Sequence, residues 1–163
     1  MLKDSLENLT KYNLWANTKM FGFISAAGEV KADAIQNSSF PSIRKTLYHI
    51  WDAETIWYNR LHGKLFNLWP GKNYSGNLME AGKLFLNMSE NFVTFIKEKR
   101  EDELGAQITY TNSEGKEFSN TISQVVMHCM NHSTFHRGQI VTMLRNTGFT
   151  NLSSTDYISF CRL

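Results

Sequence analysis

Between residues 78 and 99 the chain reads LMEAGKLFLNMSENFVTFIKEK. Leu78, Ala81, Phe85, Met88, Phe92, Phe95 and Lys99 recur at steps of three and four. That spacing stacks them on one face of an α-helix, with polar residues on the other. The stretch predicts a long amphipathic helix that needs partners to cover its apolar stripe. The charged run that follows, from Lys97 to Glu103, reads as a solvated last turn.

The same period appears on either side. Upstream, Leu2, Leu6, Leu9, Ala16, Met20, Phe23 and Ala27 trace a helix from about Ser5 to Ala27, with Asn13 interrupting the stripe and Gly28 at its end. A second helix is expected to start near Pro41 and end at Gly63; its stripe is Ile43, Leu47, Ile50, Trp57 and Leu61, with Glu54 as the odd member. Downstream, Thr121-Ile122-Ser123-Gln124 fits a capping box that opens a fourth helix, which runs to Thr147 before Gly148.

Between these helices the period is lost. Residues 63–76 are rich in breakers and aromatics and read as a loop packed over one end of a bundle. Ile108, Tyr110, the turn Asn112-Ser113-Glu114-Gly115 and Phe118 read as a β-hairpin. The tail from Phe149 to Leu163 is too short for a domain and is expected to pack back on the helices. The expected fold is all-α, an antiparallel four-helix bundle with a short β-hairpin before the last long helix, in one domain spanning residues 1–163.

Composition narrows the function. The 163 residues carry 17 Lys and Arg against 15 Asp and Glu, with no block of one sign, so nothing favours a nucleic-acid partner. No apolar window reaches membrane-spanning length. The first residues, Met1 to Glu7, do not resemble a secretory signal, and Cys129 and Cys161 form no Cys-x-x-Cys motif. The expected compartment is the cytoplasm, with both thiols free.

The chemistry concentrates on the fourth helix, where His128, His132 and His136 follow one another at i, i+4 spacing. With Cys129 set at zero on a helical wheel, His136 lies about 20° away, His132 about 60° and His128 about 100°. His132 and His136 therefore face the bundle and His128 its flank. Inward imidazoles need partners for their nitrogens. A divalent metal ion is one solution, and His49 on the second helix offers a third ligand that leaves a position open for water or substrate. Ordinary polar partners in a core are the other solution, and the spacing alone leaves both open. Glu54 reads as an acceptor behind a ligand or as a rim residue, Asp52 as a solvated helix residue, and Cys129 as buried packing.

The string His128-Cys129-Met130-Asn131-His132-Ser133-Thr134-Phe135-His136-Arg137-Gly138-Gln139 resembles the last-helix motif of the DinB/YfiT-like family. Tyr12-Asn13-Leu14-Trp15-Ala16-Asn17 and the segment from Ser42 to Ile50, followed by Ala53-Glu54, fit the same resemblance in the same order. The family takes its name from DNA-damage-inducible bacterial proteins and includes S-transferases that use bacillithiol or mycothiol. The resemblance implies a four-helix bundle, usually a homodimer, with a divalent ion on His49, His132 and His136, nickel and zinc both suiting imidazole donors. It also draws in Arg137 and Gln139, as residues that orient a ligand, bind substrate or face solvent, and Gly138, expected to let a neighbouring helix approach closely. Trp15 reads as packing.

The leading expectation is thus a metal-dependent transferase in which a low-molecular-weight thiol attacks a small electrophile. Metal-assisted hydrolysis is the second enzyme reading. A stress-associated structural or small-molecule-binding bundle without catalysis is the third.

Overall fold

Four long helices form where the period-3.6 stripes lie, and three of them are started by a capping side chain. The computed structural model describes residues 1–64 and 68–163. Helix α1 spans Leu2–Ala27, α2 Glu29–Asp33, α3 Ile43–Leu61 and α4 Leu78–Glu98. A 3₁₀ turn at Glu101–Gly105 leads into strands β1, Gln107–Thr111, and β2, Glu117–Thr121; α5, Ile122–Asn146, and a final turn α6, Tyr157–Phe160, complete the chain. Ser42 caps α3 by accepting from the Lys45 N–H, and Asn77 does the same for α4 with Glu80. Both halves of the expected capping box form at Thr121 and Gln124. Gly28 and Gly148 take the positive φ that lets the chain leave α1 and α5.

Two apolar cores show how the helices run. One gathers Met20 and Ile24 of α1, Ile43 and Leu47 of α3, Leu78 and Phe85 of α4, and Ile140 and Met143 of α5. The other gathers Leu6, Leu61, Phe92 and Phe95 with Val125 and Met130. The start of α1 therefore lies level with the ends of α3 and α4 and with the start of α5. The order is up, down, down, up. Helix α1 packs antiparallel on α4, and α3 antiparallel on α5; α1 also meets α5, and α3 meets α4, side by side in parallel. Gly82 allows the α1–α4 contact, since a Cβ there would strike the Phe21 ring.

This order changes the role of the long connection. The segment between α3 and α4 must return along the bundle, and it does so against the flank of α3: Asp52 accepts from the Gly71 and Lys72 N–H groups at 2.6 and 3.0 Å. It is a strap along α3 rather than a cap on one end. Leu65, Phe66 and Asn67, part of the loop read from sequence, lie outside the described residues. Asp52 is accordingly 4% exposed, not a solvated helix residue.

One further reading changes. The charged run after α4 is a separate 3₁₀ turn, and the Glu101 carboxylate accepts from the Leu2 and Lys3 N–H groups at the start of α1. The tail does pack back: the Tyr12 hydroxyl donates to the Thr155 carbonyl, and Trp15 lies against Phe160. The β1–β2 hairpin pairs Gln107 with Thr121 through Thr111 with Glu117. Among the described residues no helix is long and apolar enough to cross a membrane.

Candidate metal centre

The antiparallel α3–α5 pair brings His49 level with His132 and His136. His132 Nε2 lies 3.0 Å from His49 Nε2 and 3.1 Å from His136 Nε2, and the three nitrogens all fall within 4.8 Å of one another. The rings are set by their neighbours. Phe40, before α3, stacks on His49 at 4.2 Å and meets His136 edge-on at 5.7 Å. Gln139, one turn past His136 on α5, places its Oε1 2.7 Å from His136 Nδ1 and donates through Nε2 to Ser39 Oγ. The carbonyl oxygen of Gln139 requires a proton on His136 Nδ1, so His136 Nε2 presents a lone pair.

These contacts test whether the residues suit a metal ion. A single proton on His132 Nε2 cannot serve two neighbouring nitrogens at full strength, whereas a cation satisfies all three lone pairs. Two nitrogens each about 2.1 Å from an ion are about 3.0 Å apart at a right angle and about 3.4 Å apart at the tetrahedral angle. The two shortest separations fall within that span. Burial also keeps the rings neutral, as ligation requires. Burial, with the nearby His136, holds His49 at about 4; burial, with His136, His49 and His128, holds His132 at about 3. Burial lowers His136 as well, against the contrary pull of Gln139. The donor set fits a divalent ion. Among the described residues His132 Nδ1 is buried without a hydrogen-bond partner, so no supporting contact orients that ring from behind.

Other residues singled out in the sequence fall elsewhere. Glu54 is fully buried between the two apolar cores and accepts from Asn13, Asn17, Ser89 and Ser133; no histidine is among its partners. It is neither a rim residue nor the acceptor of a ligand's N–H, because its lone pairs are taken by side chains of α1, α4 and α5. Burial pushes its carboxyl up while the bonds from Ser89, Asn13, Ser133 and Asn17 pull it down. Arg137 is 2% exposed and turned to the same layer, donating to the Oδ1 atoms of Asn13 and Asn17 and to Thr134 Oγ1. A Cβ at Gly138 would meet nothing within 4 Å, so no helix approaches there. Cys129 is buried, its thiol pushed well up by burial and by Glu54, and it stands apart from the histidine cluster.

His128 lines a cavity of about 220 Å³ beside the triad, together with His49, His132, Trp57, Arg60 and Trp69. A second cavity of about 300 Å³ lies on the other side of His49, walled by Phe40, Tyr48, Asp52, Trp69 and the Lys45 and Lys72 side chains. His49 and Trp69 are common to both. Sequence reasoning had no means of finding Phe40 or Trp69, since loop residues carry no periodic signal.

Comparison with known proteins assigns the chain to a family. The chain is 30% identical to Protein DinB of Bacillus subtilis (strain 168), over 96% of this chain and 93% of that protein. Among solved structures, YfiT of Bacillus subtilis superposes with a TM-score of 0.70 at 13% identity, covering 91% of this chain and 89% of its own, and is described as a probable metal-dependent hydrolase with an unusual four-helix bundle topology. A DinB-like protein of Bacillus cereus ATCC 10987 superposes with a TM-score of 0.69 at 16% identity, over 88% of this chain and 91% of its own. The family model described as DinB matches residues 1–162, and the chain belongs to the DinB family.

Proposed function

We propose that the protein is a metal-dependent transferase that joins a small thiol to a small electrophile. The carrying observation is that three imidazole nitrogens converge at a point flanked by two separate cavities that share His49 and Trp69. Two cavities on one centre suit a reaction with two substrates. His49, His132 and His136 would hold the ion, with zinc and nickel both compatible with imidazole donors. When bound, the ion supplies Lewis acidity that lowers the pKa of a thiol or a water placed on it.

The protein's own residues do the rest. Phe40 and Gln139 fix two of the rings, and Trp69 closes over the point where the cavities meet. In the reaction the thiol proton passes to solvent, a sulfur–carbon bond forms, and the leaving group departs from that carbon with its electron pair. Hydrolysis is the second reading, supported by the description of YfiT, and needs no thiol.

The test mixes metal-loaded protein with a panel of biological thiols and a chromogenic electrophile, beside a His49→Ala variant. Turnover that requires thiol is the expected result. Equal turnover with thiol omitted replaces transfer by hydrolysis. No turnover above that of the variant overturns both, and leaves a bundle in which the metal only stabilises the fold.

A further inference from the structure

The smaller cavity beside the triad holds a cation without a counter-charge. Arg60 lines it with His128, Trp57, Asn112 and Ser113. The guanidinium lies over Trp57 at 4.4 Å and Tyr110 at 4.8 Å, two rings that meet edge to face 5.2 Å apart, and its Nη2 donates to the Thr111 carbonyl at 3.1 Å. Among the described residues Arg60 makes no ion pair, although Arg44 and Arg100 both do. A guanidinium that is stacked, tethered by one N–H and still uncompensated is pre-set for an anion.

We propose that this cavity binds the carboxylate of a small organic acid, so that one of the two substrates is an anionic molecule whose carboxylate rests on Arg60 while its reactive end reaches the histidines. The proposal rests on the transferase reading for what happens at the triad, but the binding itself does not. Several features favour a carboxylate. The cavity, about 220 Å³, is small beside typical ligand pockets of about 300–1,000 Å³. Its walls are largely aromatic, and Arg60 is its one full positive charge. A carboxylate with a short carbon stem matches one fork and apolar walls. A phosphate, carrying more charge and more acceptor oxygens, would call for further cationic donors. Asn112 and Ser113 come from the β1–β2 turn, so the hairpin contributes polar groups to the same wall.

The experiment titrates the full chain, with and without bound zinc, with succinate, inorganic phosphate and 1,4-butanediol, reading the intrinsic tryptophan fluorescence, to which Trp57 and Trp69 contribute from the cavity wall. Succinate is expected to bind saturably in both metal states. Arg60→Gln should weaken it about ten- to hundredfold, the size expected for losing a charge-assisted hydrogen bond. Arg60→Lys, which keeps the charge and loses the fork, should fall between. Circular dichroism and metal stoichiometry of each variant identify any loss that comes from unfolding, and Arg60→Lys then carries the comparison. Succinate binding unchanged in both variants overturns the proposal, as does butanediol or phosphate binding as tightly as succinate. Arg60-dependent succinate binding stands even if no thiol supports turnover; turnover without such binding removes the carboxylate assignment and leaves the transferase reading intact.

Discussion

The carboxylate of Glu54 reaches the guanidinium of Arg137 through the side chain of Asn13, whose Nδ2 donates to Glu54 Oε1 at 2.8 Å and whose Oδ1 accepts from Arg137 Nη1 at 2.6 Å. Asn17, one turn later on α1, repeats the bridge at 3.0 and 2.7 Å. The Ser89 and Ser133 hydroxyls also donate to the Glu54 carboxylate. All four long helices contribute, at the level that separates the two apolar cores. Charges buried at this depth are held only by their partners, and a layer of this kind can also fix helix register.

Removing both ends of this network should therefore cost less than the two single losses added together. Arg137→Met leaves two Asn carbonyls and a buried carboxyl without their cation, and a loss of about 3–5 kcal/mol is expected. Glu54→Leu should cost a similar amount by leaving the Asn and Ser donors unpaired. The double variant should lose clearly less than the sum, because the residues act as one network. Urea unfolding of the four proteins in the cycle measures this. Additive losses would mean that Glu54 and Arg137 are not coupled.

The layer also explains what the sequence could and could not disclose. Asn13 and Glu54 each stand out as polar residues on otherwise apolar stripes, and each is the other's partner. Two such interruptions on different helices are a signal that they meet, but one helix pattern alone cannot say so. The histidine cluster was legible because a 3.6-residue period fixes which face each ring takes, and His49 followed from the same argument on α3. The direction of α4 was not, since an amphipathic stripe has no sense of up or down. The length of the α3–α4 connection held the clue. A helix of 19 residues is about 28 Å long, and a connection of 16 residues can span that distance. The sequence does not show the role of Asp52, because its partners, the Gly71 and Lys72 N–H groups, are distant in sequence and are brought to it only by that return.

Gln139 should matter to the metal without touching it. Its Oε1 holds the proton on His136 Nδ1 and so leaves Nε2 free to ligate. Gln139→Leu should lower metal affinity about ten- to hundredfold, the usual effect of losing a ligand's supporting hydrogen bond. Gln139→Glu should preserve the acceptor and most of the affinity. Competition against a chromophoric chelator gives both numbers; equal affinities for Leu and Glu would remove Gln139 from this role.

Acid should weaken the metal-free protein through the same rings. In the unfolded chain His49 and His132 take up protons near pH 6.5. In the fold burial holds them at about 4 and about 3. Between those values the unfolded state binds more protons, so the contribution of these rings is intact above pH 6.5 and is lost as the pH falls toward 4 and then 3. The melting temperature of the metal-free protein should therefore drop steadily from pH 7 to pH 4. His132→Leu, which removes one of the two groups, should make that slope shallower. An unchanged slope would place the acid sensitivity elsewhere.

The strap over the centre should be separable from the metal ligands. Asp52 accepts from the backbone of Gly71 and Lys72, against the opposing pull of burial that raises its carboxyl, and Trp69 lies two residues before Gly71 between the two cavities. The fit is tight, since a Cβ at Gly71 would lie 2.6 Å from the Tyr48 carbonyl oxygen, a contact no relaxed structure keeps. Asp52→Ala frees two N–H groups at a cost of about 1–3 kcal/mol, and Gly71→Ala pushes the same backbone away from α3. Neither change touches His49, His132 or His136. Both variants should hold one metal ion per chain with nearly native affinity, while the segment before α4 is nicked faster by protease and the Trp69 emission shifts to the red as it meets water. Ligand binding in the two cavities should weaken in step with that shift. If either variant loses its metal at the same protein concentration, the strap is part of the centre's scaffold rather than a cover over it.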